Sequence, residues 1–300
     1  MKSEIDYYRY RPYNRRQKIV WPGGAQIAVW VVPNVEFYEY EPPPSPGRSA
    51  YARGTPDIMN YTHKDYGNRI GFKRMADAME KFGVTGSVSL SVAVCEHFPD
   101  IIERCVELGW EIFSHGVYNT RMMYGMTEEQ QRALIRDCRD TILAHTGQSM
   151  DGWLSPAISC GETTTDILAE EGVKYTLDFY HDDQPTPMRT RAGRIISVPY
   201  SLEMNDFPLL QAKSVASDDY AQIIIDQFDQ LHREGAEGGT VLCIPLHPYL
   251  IGQPHRMSAF EKILGHIKSK DKTWITTGRE IADFYLDNYY DAAIAEEGRP

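Results

Sequence analysis

Strand-length apolar runs alternate with helix-length segments seven or eight times along this chain, and that alternation restricts the fold to parallel α/β architectures. The clearest run, 27–32, is apolar at every position, which suits a parallel strand buried between helices. Further strands are expected at 84–91, up to Ser114, and at 152–155, 174–178, 194–200, 240–246 and 272–276. Helices are expected at 68–82, 99–108, 127–146, 163–171, 218–234 and 258–268, with a last one from Thr277. Thr127 followed by two glutamates and Gln130 reads as a helix start, a cap with acids in its first turn. Residues 37–62, rich in Tyr, Pro and Glu, are expected to form a long loop of the lid or binding kind. The pattern predicts an arm over 1–20, a single barrel domain over 21–290 and a tail over 291–300.

Several function classes lose their usual support. The chain has no G-x-G-x-x-G, Walker loop, H-E-x-x-H or G-x-S-x-G. No apolar run reaches the ~18 residues of a membrane span. The first residues lack the apolar stretch of a secretion signal. Five cysteines, odd in number and without C-x-x-C spacing, suit free thiols in a reducing compartment, so a cytoplasmic location is expected. A net charge of −11 disfavours nucleic acid and acidic membranes as partners. The exception is the arm segment 8–16, where Tyr and Arg interleave. It could stack on a single nucleic-acid strand, or lie across the body or a neighbouring subunit.

The chemistry gathers where strands end. In α/β enzymes the loops beyond the strands' C-terminal ends build the cleft. The run 110–114 leads straight into His115, with Gly116 to turn the backbone and Asn119 four residues on. Asn34 and Glu36, Ser91, Asp178 with Asp182 and Asp183, and His247 stand in the same register on their own strands. A carboxylate can take a proton from water, an imidazolium can protonate a leaving nitrogen, and an amide or metal can hold an oxyanion. Together they are what hydrolysis of an acyl bond needs.

Five segments (21–29, 65–72, 115–116, 178–185 and 246–252) jointly resemble the polysaccharide deacetylases of carbohydrate esterase family 4. The likeness runs from about Trp21 to Tyr285, and it is greater to their small-molecule, allantoinase-like branch. It implies a distorted (β/α) barrel of about seven parallel strands. The family's two first-strand aspartates correspond to Asn34 and Glu36 here, and its histidine pair to His115 and Asn119. The family's arginine after the fourth strand is absent from Leu154-Ser-Pro156. These departures fit the branch in which a glutamate holds the second position and no metal is required.

The resemblance assigns catalysis to Glu36 as base, His247 as acid and His115 as oxyanion partner. Asn34, Arg69, Asn119, Asp178, Asp182 and Tyr249 would contact substrate, with the acidic segment 178–183 orienting the histidine or the substrate. No cofactor is expected beyond a weakly held divalent metal on Glu36, His115 and Asn119. The expected protein is therefore a cytoplasmic, homotetrameric hydrolase of a non-peptide C–N bond in a small amide, imide or cyclic ureide. The alternatives are a metal-dependent N-deacetylase of a sugar or oligosaccharide, in carbohydrate metabolism, and a non-catalytic binding protein on the same barrel.

Overall fold

A computed structural model describes Ser3, residues 6–42 and residues 56–297. The first strand, β1 (Ile27–Val35), is buried along its whole length. Side chains alternate across a strand, so its odd and even residues meet different partners. Ile27, Val29 and Val31 pack with helix residues such as Met75, Met79 and Phe260. Ala28, Trp30 and Val32 pack with Phe113, Leu154, Tyr175, Leu177 and Val198 inside the curl of the sheet. The continuous apolar run thus has the origin expected of it, burial on both faces.

The remaining strands are β2 (Ser87–Leu90), β3 (Glu111–Ser114), β4 (Gly152–Trp153), β5 (Tyr175–Thr176), β6 (Thr186–Pro187), β7 (Ile196–Ser197), β8 (Thr240–Leu246) and β9 (Thr273–Ile275). Along the sheet they run β6-β7-β5-β4-β3-β2-β1-β8, with β9 paired to the start of β1. Every pairing is parallel except β6 with β7. The result is a curled, open, distorted barrel with eight strands on its path, where about seven were expected. The extra one, β6, is a two-residue strand antiparallel to β7 and too short to register as an apolar run.

Most helices lie where periodicity and caps put them. Thr127 and Gln130 form a reciprocal capping box on Glu128–Thr146, and Thr277 with Glu280 does the same on Gly278–Asn288. The expected loop 37–62 is different. Residues 43–55 lie outside the described residues, and from Ile58 the chain is helical through Tyr66, capped by Asp57. That helix buries none of its residues, so it carries no apolar stripe for sequence reading to find. A π-turn, Gly67–Gly71, joins it to the helix Phe72–Lys81.

The π-turn rests on the segment after β8. A Cβ on Gly71 would come within 2.1 Å of the Pro248 carbonyl oxygen, and one on Gly67 within 2.7 Å of the Tyr249 nitrogen. Only glycine permits that approach. The N-terminal arm lies on its own chain: Tyr8 stacks on His181 at 4.1 Å, Arg16 pairs with Asp182 at 2.7 Å, and Arg11 with Glu296 at 2.9 Å. No helix among the described residues is long and apolar enough to cross a membrane. All five cysteines are free.

Candidate active site

Register explains which side chains meet. The inward parity of β1 passes from Ala28 through Trp30 and Val32 to Asn34 and, one residue beyond the strand, Glu36. On β3 the same parity runs through Phe113 to His115, and on β8 through Val241 and Cys243 to His247. Val35 and Ser114 both align with Leu90 of β2, so Glu36 and His115 emerge at one level. Inward-facing side chains at the open end of a closed or curled sheet have only one another to face.

Glu36 is the hub. Its Oε1 lies 3.2 Å from His115 Nε2 and 3.6 Å from His247 Nε2, and it accepts a hydrogen bond of 2.8 Å from Asn119 Nδ2. Its Oε2 accepts from the Tyr38 hydroxyl at 2.5 Å. Its backbone carbonyl accepts from Asn68 Nδ2 at 2.9 Å. The side chain is only 4% exposed. Burial pushes its carboxyl up, but the charges and hydrogen bonds of His247 and His115 outweigh that and hold it well below the usual carboxylate range.

His247 has a carboxylate behind it. Asp206, fully buried, accepts from His247 Nδ1 at 2.7 Å with one oxygen and from the His247 backbone N–H at 2.8 Å with the other. Burial alone would lower the imidazolium's pKa, but Glu36 and Asp206 on its two sides push it up to about 9. Asp206 was not among the residues expected in the site. It precedes a second π-turn, Phe207–Ala212, in a polar stretch that carries no strand or helix signal. It is Asp206, and not the expected segment 178–183, that hydrogen-bonds His247.

His115 is held from below. Its Nδ1–H donates to the Leu154 carbonyl at 3.1 Å, which leaves Nε2 aimed at Glu36. Asn119 reaches the same spot without a helical turn between it and His115. Gly116, at φ 74°, reverses the chain, and a Cβ there would sit 2.2 Å from the Pro156 ring.

The Asn119 amide has one orientation available. Its Oδ1 accepts from the Ala157 N–H at 2.8 Å, so its NH2 faces Glu36 and Tyr38. That orientation bears on a metal. Glu36 and His115 converge as two ligands could, but the third position offers N–H donors, not a lone pair. Two protein donors are fewer than a zinc site uses. Among the described residues no group of three or more His, Cys, Asp or Glu is placed to hold a metal ion. The side chains here do not fit the centre that the family's histidine pair would build.

The other expected site residues are engaged elsewhere. Asn34 is buried and spends its amide on Tyr200 and on the carbonyls of Val32 and Leu246. Asp178 lies on the opposite parity from Leu177 and accepts from the Ser155 N–H and hydroxyl. Burial pushes its pKa up to about 6. Asp182 is spent on Arg16. Arg69 is 70% exposed and pairs with Asp65 one helical turn away, so its segment serves the site through Asn68. Tyr249 is buried beside His247, with ring centroids 5.4 Å apart. Lys64, missed because its helix has no apolar stripe, reaches over Tyr249 and donates to its hydroxyl.

The chain is similar to several known proteins. The sequence model of the polysaccharide deacetylase family matches residues 54–176. A probable polysaccharide deacetylase from Pseudomonas aeruginosa PAO1 superposes with a TM-score of 0.82 at 28% identity, covering 92% of this chain and 96% of the other. The Puue allantoinase does so with 0.82 at 26% identity, covering 92% and 95%. A peptidoglycan deacetylase of Helicobacter pylori is 26% identical over 254 residues, 74% of this chain and 85% of that one. Fold and likeness converge: the chain has the fold of the polysaccharide deacetylase superfamily and is a hydrolase of non-peptide carbon–nitrogen bonds.

Proposed function

We propose that this hydrolase cleaves the C–N bond of a compact amide without a metal, Glu36 activating the water and His247 protonating the leaving nitrogen. The observation that carries this reading is one carboxylate oxygen, Glu36 Oε1, with an imidazole ring on either side and an amide N–H at its edge. Oε1 takes a proton as the water oxygen bonds to the carbonyl carbon, and the π pair moves onto the carbonyl oxygen. The Asn119 N–H released by the protonated Oε1 donates to that oxyanion, beside the His115 ring. The C–N bond then breaks as the proton on His247 Nε2 passes to nitrogen, and Asp206 holds the ring in place throughout.

Side chains of Glu36 and His115 that are only 4% exposed favour a small substrate or a chain end over the middle of a polymer. Among compact amides, the relatives' names weigh toward an N-acyl amino sugar or short oligosaccharide: the matched family and the Helicobacter pylori enzyme are deacetylases. A cyclic ureide is the second candidate, since the allantoinase covers as much of the chain. The metal-dependent form of deacetylation has less support, because Asn119 turns its N–H to the site.

A panel of N-acetyl sugars, short chitooligosaccharides, cyclic ureides, imides and formamides, followed by release of acetate, ammonia or acid, tests both parts. We expect turnover of one class, unchanged after prolonged chelation. Activity abolished by chelator and restored by zinc would refute the metal-free reading. A folded protein that binds a panel member and turns none over would favour the non-catalytic alternative.

The pH profile follows from the two shifted groups. The acid works only while His247 is protonated, so kcat/KM is expected to fall as pH rises through about 9. The base works only while Glu36 is ionised, and its depressed pKa keeps the acidic limb below the ordinary carboxylate range. An alkaline fall near the ordinary histidine value, about 6.5, would remove His247 as the acid.

A further inference from the structure

Lys64 is the cation that this mechanism leaves unused. Its ammonium lies over the Tyr249 ring at 3.7 Å and 5.0 Å from the rings of Tyr38 and Phe207. Among the described residues no carboxylate lies within ion-pair distance of it, and its one hydrogen bond is to the Tyr249 hydroxyl. Burial lowers its pKa to about 8, against the pull of Glu36 and Asp206. A desolvated ammonium without a counter-ion is costly to keep, and such groups concentrate at working sites.

Two hydrogen bonds and a ring contact lead from Lys64 to the base. Lys64 donates to the Tyr249 hydroxyl and lies over the Tyr38 ring, and Tyr38 donates to Glu36 Oε2. A phenolic oxygen has two acceptor sites and one proton. On Tyr38 one acceptor site is filled by Asn119 Nδ2 at 2.7 Å, and its proton is committed to Glu36. The Tyr249 hydroxyl anchors Lys64 in its place over the Tyr38 ring.

We propose that Lys64 is a positioning residue of this hydrolase: anchored by the Tyr249 hydroxyl over the Tyr38 ring, it keeps the Tyr38 hydroxyl on Glu36 Oε2 and leaves Oε1 as the oxygen that takes the water's proton. This rests on Glu36 being the base. A loosened chain lets the carboxylate rotate, or lets Tyr38 donate to Oε1, and either movement takes the reactive lone pair off the water. The steps assigned to Glu36, His247, His115 and Asn119 use none of these three groups, so the effect falls on the chemical step.

The test is the pair Lys64→Met and Tyr249→Phe with their double variant, assayed on the panel member that the wild-type enzyme turns over. Each single variant is expected to lower kcat about tenfold or more with KM within about threefold. The double variant should be no worse than the worse single one, because one chain is broken twice. The Glu36 carboxyl ¹³C resonance, assigned by its loss in Glu36→Gln, needs no substrate and should move in the same direction in both single variants. Additive losses in kcat, a rise in KM alone, or an unmoved resonance would overturn the proposal. Tyr249→Phe removes a single oxygen atom and keeps the test open if Lys64→Met fails to fold. Should Glu36→Gln leave kcat intact, the reading of Glu36 as base fails; should it abolish turnover while both chain variants stay active, only the chain fails.

Discussion

Glu36→Gln is expected to lower kcat by about 10² to 10⁴ while the protein keeps its fold, the usual loss when a general base is removed. The substitution is nearly isosteric, and the surrounding hydrogen bonds suit an amide. Its oxygen can stay at the Oε1 position, accepting from Asn119, while its NH2 donates to the Tyr38 oxygen in place of the bond Tyr38 now donates. What disappears is the lone pair that takes the proton from water. KM should change little, because the carboxylate acts on the water and not on the resting amide. His247 also loses one of its two anionic neighbours, so the alkaline limb should move to lower pH. The checks are steady-state kinetics across pH and a thermal melt. A variant with near-wild-type kcat would remove Glu36 as the base.

Asp206→Asn is expected to lower kcat by a similar factor, about 10² to 10⁴, without any contact between Asp206 and substrate. Asp206 accepts from both His247 Nδ1 and the His247 backbone N–H. An asparagine can satisfy one of these with its oxygen but offers a donor to the other. If that donor meets Nδ1, the ring is held neutral with its proton on Nε2, a far weaker acid than the imidazolium. Loss of the charge also removes a main reason that the imidazolium persists to about pH 9.

The sign for stability can be worked through. His247 has its pKa raised on folding, so its stabilising contribution is fully present below about pH 6.5, the unfolded value. It is lost as pH rises through about 9. The melting temperature of Asp206→Asn should therefore fall further below wild type at pH 6 than at pH 10. An equal deficit at both values would mean that Asp206 contributes packing and backbone hydrogen bonding only.

The legible parts of this protein are those written in local periodicity. The strand over 27–32, the strand over 240–246, and the capped helices starting at Thr127 and Thr277 could be read because each buries a face or closes a cap within a few residues. Parity did much of the rest. Glu36, His115 and His247 each continue the inward-facing set of an apolar strand by one step, which is information contained in the sequence. The same rule, applied to Leu177, puts Asp178 on the other side. There it bonds to Ser155 and not to His247.

Three decisions belonged to the tertiary structure alone. Which carboxylate backs His247 depended on a π-turn bringing Asp206 across 41 residues of chain, and no local signal encodes that meeting. Which end of the Asn119 amide faces Glu36 depended on the Ala157 N–H, a backbone donor from another loop. That Lys64 belongs to the site at all depended on a helix with no buried face, docked through glycines on the backbone of Pro248 and Tyr249. The sequence by itself determined the strands, their inward faces and the residue types at their ends, because side-chain alternation and capping act over a few residues. The partners of those residues were decided only when the curled sheet brought loops from distant segments to one mouth, since hydrogen-bond direction and charge pairing depend on positions in space.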